Sequence, residues 1–176
     1  RSSLRVGILA AVGASVCNHC CGTKLSALAS GADTSTMSSQ LDQFCNFSCE
    51  LSVVVARSEK QTVAYDPLKN IHRQGILWQS HYPCMLSNNI ILQAKEIAIK
   101  IATHLDLIGV LAVEFFLIDN QLLVNELAPR PHNSGHFSMD ASVTCQFEQL
   151  IRAILNINFG STYFHSQGYM QNLIGS

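Results

Sequence analysis

Apolar and polar positions fall into regular order only beyond about residue 43, and from there the period of the pattern changes from stretch to stretch. CELSVVVARS and QTVAYDPL read as two strands around the polar SEKQ, a hairpin with a short loop. KNIHRQGILWQSHYPC has too many polar interruptions for a helix and enough Ile, Leu and Trp to lie on a sheet as strand and loop. Ser87 suits the N-cap of a helix to about Leu105, because Ile90, Ala94, Ile97, Ala98, Ile101 and Leu105 recur at helical spacing and give one face to a sheet. IGVLAVEFFLIDNQLLVNELAP reads as a strand, a tight turn at Asp119-Asn120 and a returning strand. A last helix, roughly Thr144 to Leu155, has Phe147, Leu150, Ile151 and Ile154 on one face. Strands joined by hairpins and interleaved with helices indicate an α+β architecture, an antiparallel sheet with packed helices rather than a parallel doubly wound one.

The first part of the chain is different. Residues 1–43 contain no aromatic residue and are rich in Ala, Ser, Gly and Thr, which sets a boundary near Gln43, and SGADTSTMSS (30–39) is expected as a loop or disordered link. LRVGILAAVGASV (4–16) is apolar but too short for a bilayer, which needs about 20 residues, and is expected as a buried strand or helix. With 11 Lys+Arg against 12 Asp+Glu in 176 residues and no basic run, neither nucleic acid nor a membrane is an expected partner. Seven cysteines, at 17, 20, 21, 45, 49, 84 and 145, form no disulfide framework and read as reduced thiols of a cytoplasmic protein. Cys17, Cys20 and Cys21 in CNHCC offer half of a zinc site, without the second pair that would close a tetrahedron.

Candidate chemistry concentrates in VNELAPRPHNSGH (124–136) and in the strand before it. Glu114 lies within LAVEFFL, where an unpartnered carboxylate is costly to bury. Glu126 follows twelve positions later, and the two share a face if a three-residue loop or a bulge supplies the register; a strict two-residue loop would instead set Glu114 against Asn125. Two carboxylates and an amide are hard oxygen ligands that suit Mg²⁺, while a structural salt bridge from Glu114 to Arg130 or a lysine is the alternative. Pro129 and Pro131 fix the backbone around Arg130 and stop the strand, so that Arg130, His132, Asn133, Ser134 and His136 are presented from a rigid loop. Arg130 offers a planar fork suited to carboxylate, bicarbonate or phosphate, and Gly135 permits a sharp turn or a close approach to a ligand.

From about Leu41 to Ser176 the chain resembles part of the ATP-grasp domain of the N5-carboxyaminoimidazole ribonucleotide synthases. NELAPRPHNSGH is similar to that family's signature, and CELSVVVARS, PLKNIHRQGIL and QFEQLIRAIL agree with it in order and spacing. The resemblance implies a partial ATP-grasp fold and an ATP- and Mg²⁺-dependent ligase of purine synthesis, homodimeric at full length. In that reaction bicarbonate attacks the γ-phosphate to give carboxyphosphate, and the carboxyl group passes to 5-aminoimidazole ribonucleotide. Carried over by position, Asp42, Gln43, Phe44 and Cys45 match the hinge that holds adenine, Glu50 the acid on the ribose hydroxyls, and His72 a histidine on the nucleotide. Glu114 and Glu126 match the Mg²⁺ ligands, Asn125 stands beside them at the phosphates, and Arg130, His132, Asn133 and Ser134 match the loop that receives bicarbonate or carboxyphosphate.

Residues 1–40 do not match the synthases: neither Lys24 nor Gly31 stands in the context of the family's phosphate lysine and glycine-rich loop, and the hinge acid is Asp42 in place of Glu. A fragment, or a fusion with foreign sequence at its start, is therefore expected, with a partial ATP-grasp domain over 41–176. Two rival readings follow. A formate-dependent glycinamide ribonucleotide transformylase shares PRPH but is expected to follow it with an acidic residue and threonine, where this chain has Asn133-Ser134. A non-catalytic ATP-grasp remnant would fold without turnover.

Overall fold

A computed structural model describes residues 15–16 and 47–173 of the chain. The described strands are β1 (Ser15–Val16), β2 (Cys49–Arg57), β3 (Thr62–Ala64), β4 (Leu68–Arg73), β5 (Ile76–Tyr82), β6 (Gly109–Ile118), β7 (Gln121–Ala128) and β8 (Gly168–Gln171). The helices are α1 (Asn88–His104), α2 (Ser138–Ala141) and α3 (Gln146–Ile154), with a 3₁₀ turn at Asn133–Gly135. All eight strands join one sheet, ordered β1-β7-β6-β2-β4-β5-β8 with β3 also on β2. Every pairing is antiparallel except that of β1 with β7. This is the expected α+β, largely antiparallel architecture. The candidate hinge Asp42–Cys45 and the cysteine cluster at 17–21 lie outside the described residues, as does most of segment 4–16 apart from β1.

β2 is the hub. It pairs with β6 from Cys49↔Leu117 to Arg57↔Gly109, and its other edge meets β4 through Glu50–Ser52 and β3 through Val55–Arg57. Alternation then sorts the side chains. Leu51, Val53 and Val55, with Leu111, Val113, Phe115 and Leu117, form a core with Ile90, Ala94, Ala98, Ile101 and Ala102 of α1. Burying each large aliphatic side chain there stabilises the fold by about 1.5–3 kcal/mol. The helix starts as expected, with the Ile90 N–H donating to Ser87 Oγ at 3.4 Å. The opposite face is half apolar, where Val54, Ala112, Tyr65, Phe137 and Phe164 cluster, and half polar, where Glu50, Ser52 and Glu114 stand.

Two expectations change. The stretch 68–82 is not strand and loop but a full hairpin of β4 and β5, turned by Gln74 and Gly75 at φ 52° and 76°. Both values are left-handed, as a two-residue hairpin turn requires. The last helix forms, but Phe147, Ile151 and Ile154 of its apolar stripe are exposed, while Gln146, Gln149 and Ala153 are buried. Its glutamines are internal because each grips a main-chain segment, a tertiary role that periodicity does not encode. No described helix is long and apolar enough to cross a membrane.

Candidate active site

β6 and β7 are joined by a two-residue turn, with Asp119 and Asn120 at φ 47° and 63° and Ile118 opposite Gln121. Uncorrected, that register would set Glu114 against Asn125. A bulge between Glu114 and Phe115 absorbs one residue, so that Phe115 faces Val124 while Glu114 faces Glu126. A bulge places two residues opposite one, and here Asn125, Glu126 and Glu114 all line one cleft of about 700 Å³.

The same cleft receives Glu50 from β2, Asn70 and His72 from β4, Leu77 from β5, and His132 and Asn133 from the loop after β7. Of the residues singled out from sequence, Glu50, His72, Glu114, Asn125, Glu126, His132 and Asn133 thus come together. Arg130 is not in the lining; its Nη1 donates to its neighbour's carbonyl, Pro131 O, at 2.9 Å. Ser134 is fully buried and props His132 from below. Gly135 makes its close approach to protein, since a Cβ there would lie 2.5 Å from Gln146 Oε1 and 2.9 Å from Val54 Cγ2.

Electrostatics divide the cleft. At one side His72 Nδ1 is hydrogen-bonded to the Glu50 carboxylate. That bond raises the imidazole pKa against the opposing effect of burial, with the charges of Glu50, Glu114 and Glu126 adding to the rise. At the other side burial pushes the Glu114 carboxyl up to about 7; His72 pulls it down, and Glu126 and Glu50 push it further up. Neither expected structural partner reaches it, for no arginine or lysine pairs with Glu114 among the described residues. His132 Nδ1 lies 3.8 Å from Glu114 Oε1, but its pKa is lowered to about 4, by burial first and then by Arg130, His136 and His72. The imidazole is therefore neutral, and the contact is no ion pair. Because the Ser134 N–H donates to His132 Nδ1 at 3.3 Å, the ring proton is assigned to Nε2, leaving an N–H donor on the other edge of the ring.

Several residues of the site escaped sequence reading. Asn70 is buried and faces the cleft; Ser52 and Ser80 donate to its Oδ1 at 3.3 and 2.9 Å, while its Nδ2 has no partner among the described residues. Its position two residues before His72 on a strand was the available sign, because such residues share a face. Phe47 stacks on Phe116 with centroids 4.5 Å apart and gives the cleft an apolar shelf. Exposed Lys69 also lines the opening. No cluster of three metal-binding side chains occurs among the described residues. Two carboxylates beside an amide suit instead a hard dication that draws its other ligands from water and phosphate.

A model of the ATP-grasp domain matches residues 13–147. The chain is 47% identical over 137 residues to N5-carboxyaminoimidazole ribonucleotide synthase of Bacillus subtilis, covering 77% of this chain and 36% of that protein. Among solved structures, the synthetase of Thermus thermophilus superposes with a TM-score of 0.74 at 39% identity, over 77% of this chain and 38% of the other. The Aspergillus clavatus synthase in complex with ADP and 5-aminoimidazole ribonucleotide gives a TM-score of 0.73 at 30% identity, over 76% and 36%. The chain thus spans little more than a third of these relatives' length. The domain match over 13–147 and the superposition on solved synthases agree: the chain belongs to the ATP-grasp family.

Proposed function

We propose that this chain carries the nucleotide and metal half of an ATP-dependent ligase that carboxylates 5-aminoimidazole ribonucleotide with bicarbonate. The observation that carries the reading is the bulge that brings Glu126 opposite Glu114 in the cleft that also holds Glu50 and His72. In this reading Glu50 accepts from the ribose hydroxyls, His72 contacts the nucleotide, and the shelf of Phe47 and Phe116 offers the base an apolar surface. The hinge Asp42–Cys45 is proposed to hold the adenine edge.

Glu114 and Glu126 would hold Mg²⁺, with Asn125 beside them at the phosphates. When bound, the ion neutralises charge on the β- and γ-phosphates. A buried acid that no arginine or lysine pairs with among the described residues, facing a second carboxylate, fits that group. A bicarbonate oxygen attacks the γ-phosphorus as the bond to the β-bridging oxygen breaks, releasing ADP and forming carboxyphosphate. The carboxyl carbon then forms a bond to the substrate amine as phosphate leaves and the amine gives up a proton. The neutral His132 offers its Nε2–H, and Asn133 its amide, to oxygens of the anion, while Ser134 holds the His132 ring. Arg130, exposed on the same loop, supplies the positive charge on the anion's path. Positioning and charge neutralisation supply most of phosphoryl-transfer catalysis, so no nucleophilic side chain is required. A cytoplasmic location and a homodimer at full length belong to the same proposal.

Two measurements test it. Mg-ATP at millimolar concentration should raise the melting temperature of the chain, and a ligand at a hundred times its Kd adds about 2.7 kcal/mol. E126Q should abolish the Mg²⁺-dependent part of that shift. In a coupled assay ADP release should require bicarbonate and 5-aminoimidazole ribonucleotide. Release that follows formate would favour the transformylase, and nucleotide binding without turnover would favour the non-catalytic remnant.

A further inference from the structure

We infer that Gln146, outside the cleft lining, is a positioning residue that sets where His132 and Asn133 stand in the cleft wall; this rests on the reading of the cleft given above. Gln146 opens α3 and is fully buried. Its Oε1 accepts from the His132 N–H at 3.0 Å, and its Nε2 donates to His132 O at 2.8 Å. One amide thus holds both main-chain groups of the residue whose imidazole faces Glu114. Two bonds restrain rotation as well as distance, as a site residue needs if it is to stay within a fraction of an ångström of a working position.

Two further links tie the same helix end to the same loop. The Gln146 N–H donates to Ser138 Oγ at 3.0 Å, and that hydroxyl donates to Gly135 O at 2.6 Å. Gly135 leaves room for the amide, because a Cβ there would collide with Gln146 Oε1. An apolar replacement at Gln146 would fill space yet leave the His132 N–H and C=O without these partners.

The molecule contains its own control. Gln149 on the same helix is equally buried and grips Gly160 the same way, its Nε2 donating to Gly160 O at 2.7 Å and its Oε1 accepting from Gly160 N at 3.2 Å. Gly160 does not line the cleft. Substitution at Gln149 therefore measures the structural loss of such a grip without moving the loop.

Q146A, Q146E and Q149A are compared in the full chain. Amide exchange of His132, read by NMR, should accelerate at least tenfold in Q146A and by less than twofold in Q149A, although both variants melt earlier. In Q146E a carboxyl oxygen still accepts from the His132 N–H in either protonation state, so protection of that amide, taken relative to the unstructured exchange rate, should lie between those of wild type and Q146A. In the ADP-release assay Q146A should lower kcat/KM for bicarbonate at least tenfold and leave KM for ATP within threefold, whereas Q149A leaves both near wild type. Equal acceleration of His132 exchange in Q146A and Q149A would overturn the inference, as would a parallel change in both substrates' constants. A wild-type chain without bicarbonate-dependent turnover would count against the ligase reading alone, and the exchange comparison would then decide the role of Gln146 by itself.

Discussion

Glu114 shows how one side chain can weaken a fold for the sake of a site. Burial raises its carboxyl from the ordinary value of 4.5 to about 7, so the native state holds its proton more tightly than the unfolded chain does. The sign follows from proton linkage: the contribution is most favourable below pH 4.5 and is lost as pH rises through about 7. E114Q has no such proton to lose. Relative to E114Q, the metal-free chain should lose on the order of 2 kcal/mol of unfolding free energy across that window, as measured by urea denaturation at successive pH values. A difference that stays constant with pH would remove Glu114 as the source. His72 acts in the same direction at higher pH: its raised pKa stabilises fully below 6.5, and that stabilisation fades as pH climbs through the native value. Because His72 also holds the Glu114 carboxyl down, H72Q should remove the His72 contribution and at the same time raise the Glu114 pKa further. If the proposed metal site is right, the ionised carboxylate would hold magnesium, so its stabilising effect should be larger at pH 8 than at pH 6 in wild type and nearly absent in E114Q.

At the scale of elements, what was legible in the sequence was what local chemistry determines. The helix from Ser87, the hairpin turn at Asp119-Asn120 and the strands on either side of SEKQ follow from caps, turn residues and alternation. The bulge that brings Glu126 opposite Glu114 was one of two open ways to the same register, since a separation of twelve positions does not say where an extra residue is absorbed. The hairpin of β4 and β5 was missed because its turn, Gln74-Gly75, is not among the strongest turn pairs and because the register shift opposite Ile71 and His72 puts an extra residue, Trp78, into β5 and breaks the alternation of that strand. The orientation of α3 was hidden for a different reason. Its stripe suggests a core face, yet Ile151 and Ile154 are 54% and 60% exposed while Gln149 is at 0%. Stability measurements should follow the structure and not the stripe. I151S combined with I154S is expected to change unfolding free energy by no more than about 0.5 kcal/mol per site. Q149A, by leaving the Gly160 N–H and C=O without their side-chain partner, should cost roughly 2–3 kcal/mol. The reverse ranking would show that α3 packs with its apolar stripe inward.

On the scale of the whole molecule, the strands that carry the site are interior ones, closed at the two edges of the sheet by segments remote in sequence. β1 covers β7 on one side, and β8 covers β5 on the other. β8 is short, but it is held by more than its ladder: Asn172 donates from its main-chain N to Trp78 O at 3.0 Å and from Nδ2 to Leu77 O at 2.7 Å, and Tyr169 stacks on His81. Leu77 is itself a wall of the cleft. Removing residues 168–176 would uncover β5 as an edge strand, a template for pairing between chains. The sole tryptophan, Trp78, sits on that strand with the Arg73 guanidinium 4.4 Å from its ring, and so reports the change directly. In the truncated chain its emission should shift to the red, and amide exchange should speed up along Leu77–Tyr82. Light scattering should rise with protein concentration. The paired register of Glu114 and Glu126 begins three strands further in, on β6, and should survive, so the pH-dependent stability difference between the truncated chain and its E114Q variant should persist. Loss of that difference together with the β5 protection would mean that the sheet yields as one cooperative unit, with the site no more robust than its edge.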